Sequence, residues 1–251
     1  MQTMHRLRPL APLLALLATT ACNSAALPEE ATKAPDLPPV TEEQRAQSLL
    51  QYAQIRQMEA LGKRCAWLGE IEQMAVAASW KERQAWMAWQ KLDMAQAEAM
   101  ANDLVKQSEG IDCKSPAGEQ HRLGLGYGAW QMRSSWAMRG YSLLPSGERP
   151  AWFGGKSSVA RHRPELESAV NGLKAIHASS VQASLGMFDK ESVRLLAVRC
   201  TAADKDCAAM DTDAGWRAYA ETILQQAEAY AAALQKVTDK TGRPPDLAAT
   251  P

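Results

Sequence analysis

From Ala66 to Glu109 the chain contains no proline and is built mostly from Ala, Glu, Gln, Met, Leu and Lys. These residues lose little on entering a helix, so so long a run can hardly be anything else. Cys65 stands immediately before the run and Cys113 shortly after it. Trp67, Ile71, Met74 and Ala78 recur at helical spacing, as do Trp86, Trp89, Met100 and Leu104. The phase slips around Ser79 to Arg83, which predicts two helices, or one bent helix, with the break near Trp80, Lys81 and Glu82. Gly110 and the stretch from Asp112 to Pro116 close the unit.

Four cysteines besides Cys22, at 65, 113, 200 and 207, read as two disulfides in an exported chain, with three possible pairings. Pairing neighbours, Cys65–Cys113 and Cys200–Cys207, is the simplest. Loop-closure entropy then contributes roughly 4 kcal/mol for the longer loop and roughly 2.5 for the shorter. A zinc site would need close cysteine or histidine pairs, and these are missing, so no metal is expected.

The remaining helices follow from caps and periodicity. Thr41 and Gln44 form a capping box, with Glu42 and Glu43 in the first turn where the helix dipole favours acids. Leu49, Leu50, Ala53 and Leu61 share a face, and Gly62 ends or bends that helix. Residues 121–144 are apolar nearly all round: Tyr127, Trp130, Ala137 and Tyr141 on one side, Ala129, Trp136, Gly140 and Leu143 on the other. Gln131, Ser135, Arg139 and Ser142 leave only a narrow polar stripe, which predicts a central helix. Pro164 opens a further helix, Asp189 caps a short one, and Trp216 to Val237 form the last, capped by Thr212 or Asp213. No segment alternates as a strand does. The expected fold is all-α: a single disulfide-stapled domain over 41–238 with five to seven helices, followed by a disordered tail at 239–251.

The amino terminus narrows the compartment. His5, Arg6 and Arg8 precede the apolar run Leu10–Ala18, which is of signal-peptide length and short of the roughly 20 residues a spanning helix needs. Thr19, Thr20 and Ala21 then lead into Cys22, an arrangement that resembles the bacterial lipoprotein processing site. The resemblance implies a signal peptide at 1–21, lipidation of Cys22, a flexible tether at 22–40, and, with Asn23 next, the outer membrane facing the periplasm. The alternative is an ordinary secretory signal cut near Ser24, Ala25 and Ala26, giving a soluble periplasmic or secreted protein. Loss of Arg6 and Arg8 leaves two more acidic than basic side chains, with no basic run to suggest nucleic acid or a polybasic membrane patch. Membrane attachment then rests on the lipid alone.

Several motifs invite a chemical reading. Gly124, Gly126 and Gly128 lack the preceding strand and following lysine of a phosphate loop and fit close helix packing better. Gly128-Ala129-Trp130-Gln131 resembles the Gly-x-x-Gln element of lysozyme-like lytic transglycosylases. That likeness implies Gln131 beside a catalytic glutamate, with Glu119 or Glu109 as the candidate acid, though neither precedes serine as the family's glutamate does. His121, His162 and His177 have no metal-ligand spacing. Asp204, Asp206, Asp211 and Asp213 do not follow the calcium-loop order and read as a solvated loop. Asp93 falls on an apolar face and calls for a partner, Arg133 or Arg139. Trp80 and Trp152 lie off the tidy faces and are candidates for a contact surface.

These readings lead to a non-catalytic protein-binding module of the bacterial envelope, without a cofactor, binding an envelope protein partner through Trp80, Trp152, Asp93 and Arg139. Its role would be that of an assembly or secretion accessory, an inhibitor or an immunity protein. The alternatives are a peptidoglycan-active enzyme using Glu119 and Gln131, and a small-ligand site between helices around Asp93 and Tyr127.

Overall fold

The expected capping box opens the first helix. The Gln44 amide donates to Thr41 Oγ1 at 3.2 Å, and the Thr41 amide donates to Gln44 Oε1 at 2.9 Å. A computed structural model describes residues 39–144, 158–199 and 213–247. Among these the helices are α1 (Glu42–Cys65), α2 (Glu70–Trp89), α3 (Met94–Glu109), α4 (Pro116–Ser142), α5 (Arg163–Ala197) and α6 (Ala214–Thr241), with one 3-10 turn at Ser158–His162. No strand occurs among the described residues, so the chain is all-α. The signal at 1–21, Cys22, the tether up to residue 38, Trp152, the Cys200–Cys207 pairing and the acidic loop before Asp213 lie outside the described residues, as does 248–251.

The Cys65–Cys113 disulfide is present, joining Cα atoms 5.6 Å apart. It ties the end of α1 to the start of α4 beside α3, and Arg64 reinforces the junction by donating to the Ser108 and Ile111 carbonyls at 2.8 and 2.9 Å. On this side α1 lies along α3, with Leu49, Tyr52, Ala53, Met87, Ala97 and Ala101 in one small core. A second small core, Leu61, Leu68, Val76, Leu125 and Ala129, lies under the disulfide. The largest core is elsewhere, between α2, α4, α5 and α6, around Trp136, Leu166, Leu173, Ile223, Leu224 and Tyr230.

The long helical run breaks ten residues later than its periodicity predicts. α2 continues through Ser79–Arg83 and ends at Trp89; Lys91 takes a left-handed φ of 56°, the Leu92 amide turns back to the Met87 carbonyl, and Asp93 starts α3. The slip in phase has another cause: α2 buries Ile71, Ala75 and Ala78 in the large core but Val76 and Met87 in the two small ones. A helix that changes its buried side shifts the apolar phase without breaking the backbone.

Three further expectations need correction. Asp189 caps nothing, because α5 runs through it as one helix bent at His177 (φ −129°, ψ 44°). Gly62 neither ends nor bends α1; it gives Leu68 room, since a Cβ there would stand 2.6 Å from Leu68 Cδ1. And 239–251 is not wholly a disordered tail. α6 runs to Thr241, Gly242 closes it at φ 71°, and Leu247, only 2% exposed, docks with its carbonyl accepting from Trp130 Nε1 at 3.1 Å. A single docked leucine in a proline-rich polar stretch has no periodicity to announce it.

The middle of the fold is shared. α4 is mostly buried from Ser134 to Ser142, where Gly140 lets Leu166 of α5 approach to 2.9 Å of the missing Cβ. Its first half is at the surface, with Leu123 and Tyr127 about half exposed, so helix 121–144 is central only in its second half. α2 is the element that touches both the small cores and the large one.

Candidate functional site

Where α2, α5 and α6 meet, the surface opens into a groove of about 830 Å³. Its aromatic floor begins with a cap. Asp213 Oδ1 accepts from the Gly215 and Trp216 amides at 2.6 and 3.3 Å, starting α6. Gly215 carries no Cβ, and one placed there would come within 2.9 Å of Trp89 Cδ1, so the start of α6 lies directly against the end of α2. Trp216 and Tyr219, one turn apart on α6, then close on Trp89: ring centroids are 4.9 Å apart for Trp89–Trp216, 5.4 Å for Trp89–Tyr219 and 5.6 Å for Trp216–Tyr219. Trp86, one turn earlier on α2, extends the floor, with the Arg83 guanidinium over its ring at 5.4 Å. A smaller hollow of about 300 Å³, lined by Val40, Gln44 and Gln51, shares Trp86.

The far wall is one face of α5. Gln182, Gly186, Lys190 and Arg194 follow at four-residue steps, so they stack in a ridge along the helix, with Met187 and Glu191 beside it. Met187 is 59% exposed, an unusual position for so apolar a side chain.

Beneath the groove lies Arg139, the one buried cation among the described residues. From α4 it donates to Glu82 of α2 at 2.9 Å and to both carboxylate oxygens of Glu191 of α5 at 3.0 and 3.3 Å. Its guanidinium also stands over the rings of Trp136 and Phe188, at 4.9 and 5.0 Å. Burial alone would lower its pKa, but the facing carboxylates of Glu82 and Glu191 outweigh burial and push it up. Burial, together with the Glu82 charge, raises the phenol of Tyr219 and keeps it protonated. Arg139 therefore ties three helices together under the aromatic floor, its Nε and Nη2 donors engaged by the two carboxylates.

The other candidates are dispersed. Asp93 is not a buried carboxylate paired with Arg133 or Arg139; it is exposed and caps α3, accepting from the Gln96 amide at 3.0 Å. A short polar side chain before a helix is better used on an orphan amide than in the core, and Arg133 pairs instead with Glu72. Trp80 is half-buried against the α1–α3 core and carries the Arg56 guanidinium 4.6 Å above its ring. Glu119 and Gln131 are both exposed on α4, twelve residues or about 18 Å apart along the axis, too far for one cleft. Arg122 hydrogen-bonds the Glu119 carboxylate at 2.6 and 2.8 Å and holds its pKa below the ordinary value, opposite to what a general acid needs. Glu109 is exposed at the end of α3. His177 is half-buried, its ring edge-on to Trp130 at 5.6 Å; His121 is exposed and His162 half-buried. Neither Asp93 nor Tyr127 lines the groove. No cluster of three or more His, Cys, Asp or Glu suited to a metal occurs among the described residues.

Of the groove residues, Trp86 and Trp89 lie on one apolar helix face in the sequence and Trp216 and Tyr219 on another, with nothing in the sequence to join them. The available signal was Met187 beside Lys190 and Arg194, an apolar side chain among charges on the side of α5 opposite Leu185 and Phe188.

Fold and site together define an all-helical chain bearing an open aromatic groove with a basic margin and no acid–base pair within it. No protein-family model, no curated protein and no solved structure matches the chain.

Proposed function

We propose that this chain is a bacterial envelope lipoprotein that acts as a non-catalytic protein-binding module, anchored through Cys22 to the outer membrane and using the α2–α5–α6 groove as its contact surface. The observation that carries the reading is the groove itself. Tryptophan, methionine and arginine gathered on one open surface are the residue types that dominate protein interfaces. Its ionised groups are arranged for structure rather than reaction, since Arg139 takes both Glu82 and Glu191. The Cys65–Cys113 disulfide suits an oxidising compartment. The signal-like start and Cys22 suit a lipid anchor, and no described helix is long and apolar enough to cross a membrane. An assembly or secretion accessory, an inhibitor or an immunity protein would all use such a surface.

The peptidoglycan-enzyme reading has less support, because Glu119 and Gln131 stand apart and Glu119 is paired. Affinity capture from an envelope extract with the intact protein tests the proposal. One stoichiometric protein retained by the wild type and lost with Met187→Glu is expected; this substitution changes only an exposed side chain. Retention that ignores Met187→Glu, or capture of cell-wall fragments alone, would overturn it.

A further inference from the structure

The charge of the groove is not balanced. Glu191, the carboxylate that lines it, is held by Arg139, and Glu82 shares the same guanidinium. Lys190 and Arg194 sit one turn apart on the ridge, and neither has a carboxylate partner among the described residues. Some surface cations elsewhere have an acid beside them: Lys63 with Glu59, Arg122 with Glu119, Arg163 with Glu167, Lys236 with Glu70. On the groove the only lining carboxylate among the described residues, Glu191, is already taken by Arg139, so Lys190 and Arg194 leave its margin positively charged.

The ridge is also polarised along its length. Gln182, Ala183 and Gly186 make one end small and neutral, Met187 lies midway opposite the indoles, and Lys190 and Arg194 make the other end basic. From 182 to 194 the helix rises about 18 Å, the length of five or six extended residues.

The rings argue against a sugar. Trp89, Trp216 and Tyr219 pack on one another and Arg83 covers part of Trp86, so the floor lacks the free flat platform on which a pyranose stacks. Ring edges and the exposed Met187 suit an aliphatic or aromatic side chain.

We infer that the groove takes a short acidic peptide segment of the partner, with an apolar anchor set between Met187 and the Trp86–Trp89 pair and carboxylates on Lys190 and Arg194. This rests on the groove being the contact surface proposed above. Carboxylates meeting Lys190 and Arg194 gain charge-assisted hydrogen bonds and lead the partner into register.

The test is a selection of randomised displayed dodecapeptides on the intact protein, run in parallel on the wild type and on a Lys190→Glu/Arg194→Glu double variant, both checked for unchanged thermal melting. Wild type is expected to enrich peptides that combine Asp or Glu with Leu, Phe or Trp, and the double variant to enrich Lys and Arg instead. A synthesised wild-type winner should lose about tenfold or more in affinity for the double variant, and weaken as salt rises. Neutral or basic winners on the wild type, the same winners on both proteins, or no winners at all would overturn the inference, as would muropeptides displacing every winner from the groove. The two proposals fail separately. A captured partner lost with Met187→Glu but kept by the double variant leaves the binding function standing and removes the acidic segment; a partner kept by both variants removes the groove as contact surface.

Discussion

The two sides of α2 are built on different principles. Towards α1 and α3 the packing is thin: the cores there contain alanines at 53, 97 and 101, and the covalent Cys65–Cys113 link and the Arg64 cap on the Ser108 and Ile111 carbonyls close the end. Towards α4, α5 and α6 there is no disulfide among the described residues. Apolar burial around Trp136, Leu224 and Tyr230 does the work, with the Arg139 pairs set into it. The small side needs a staple because little apolar surface is removed from water there. The large side has burial enough to leave an open groove at its edge, where Met187 and the indoles remain partly wet.

The staple gives the largest contrast. Reduction, or a Cys65→Ala/Cys113→Ala variant, is expected to lower stability by about 4 kcal/mol in denaturant titration. Hydrogen exchange should rise first in α1 and α3; equal loss of protection in α5 and α6 would show that the two sides unfold as one unit and end the contrast. Next comes the charge set into the other side. Arg139→Met leaves Glu82 and Glu191 without their cation and should cost about 3 kcal/mol, while adding Glu82→Gln and Glu191→Gln should restore most of it. No recovery would mean that Arg139 acts through its packing on Trp136 and Phe188 instead. Leu247→Ala is expected to cost about 2 kcal/mol, since the leucine is buried at the end of the chain against the large side.

Alkaline titration sharpens the comparison, because each side holds buried phenols. Burial first, then the hydrogen bond to Glu98, raises Tyr52 on the small side; burial raises Tyr219 and Tyr230 on the large one. A folded pKa above the ordinary 10.0 means that the unfolded chain gives up these protons first. The stability they contribute is full below pH 10 and falls as pH rises beyond it. Unfolding followed by circular dichroism should therefore set in above pH 10, later for Tyr52→Phe; a variant that unfolds at the same pH as the wild type would count against ionisation of Tyr52 as a cause. The smallest expected effect is that of Met187→Glu on stability, within about 0.5 kcal/mol, which is what makes it a clean probe of binding.

Much of the fold was legible in the sequence because it is written locally. The Thr41–Gln44 box, the start at Pro164, the Asp213 cap and the apolar face of Trp216, Tyr219, Ile223, Ala227, Tyr230 and Leu234 each depend on residues within a few turns, whereas α4 starts at Pro116, five residues before the expected 121. The break at Gln90–Asp93 was misplaced because Asp93 has two local readings, a cap or a stray acid on an apolar face. Only the course of the chain at Lys91 chooses between them. The bend at His177 has no proline or glycine pair to signal it, and Leu247 has no repeat around it.

By itself, then, the sequence determined an all-helical chain and several of its helix starts, and left Cys65–Cys113 as the simplest of three pairings, because propensity, capping and short-range periodicity are properties of neighbouring residues. Tertiary structure alone decided that Trp89 meets Trp216 and Tyr219, that Arg139 takes Glu82 and Glu191 at once, and that Lys190 and Arg194 are left over. Those facts depend on which helix faces turn toward one another across some fifty to more than a hundred residues of chain, and packing settles that by burying apolar surface and giving the buried Arg139 its two carboxylates.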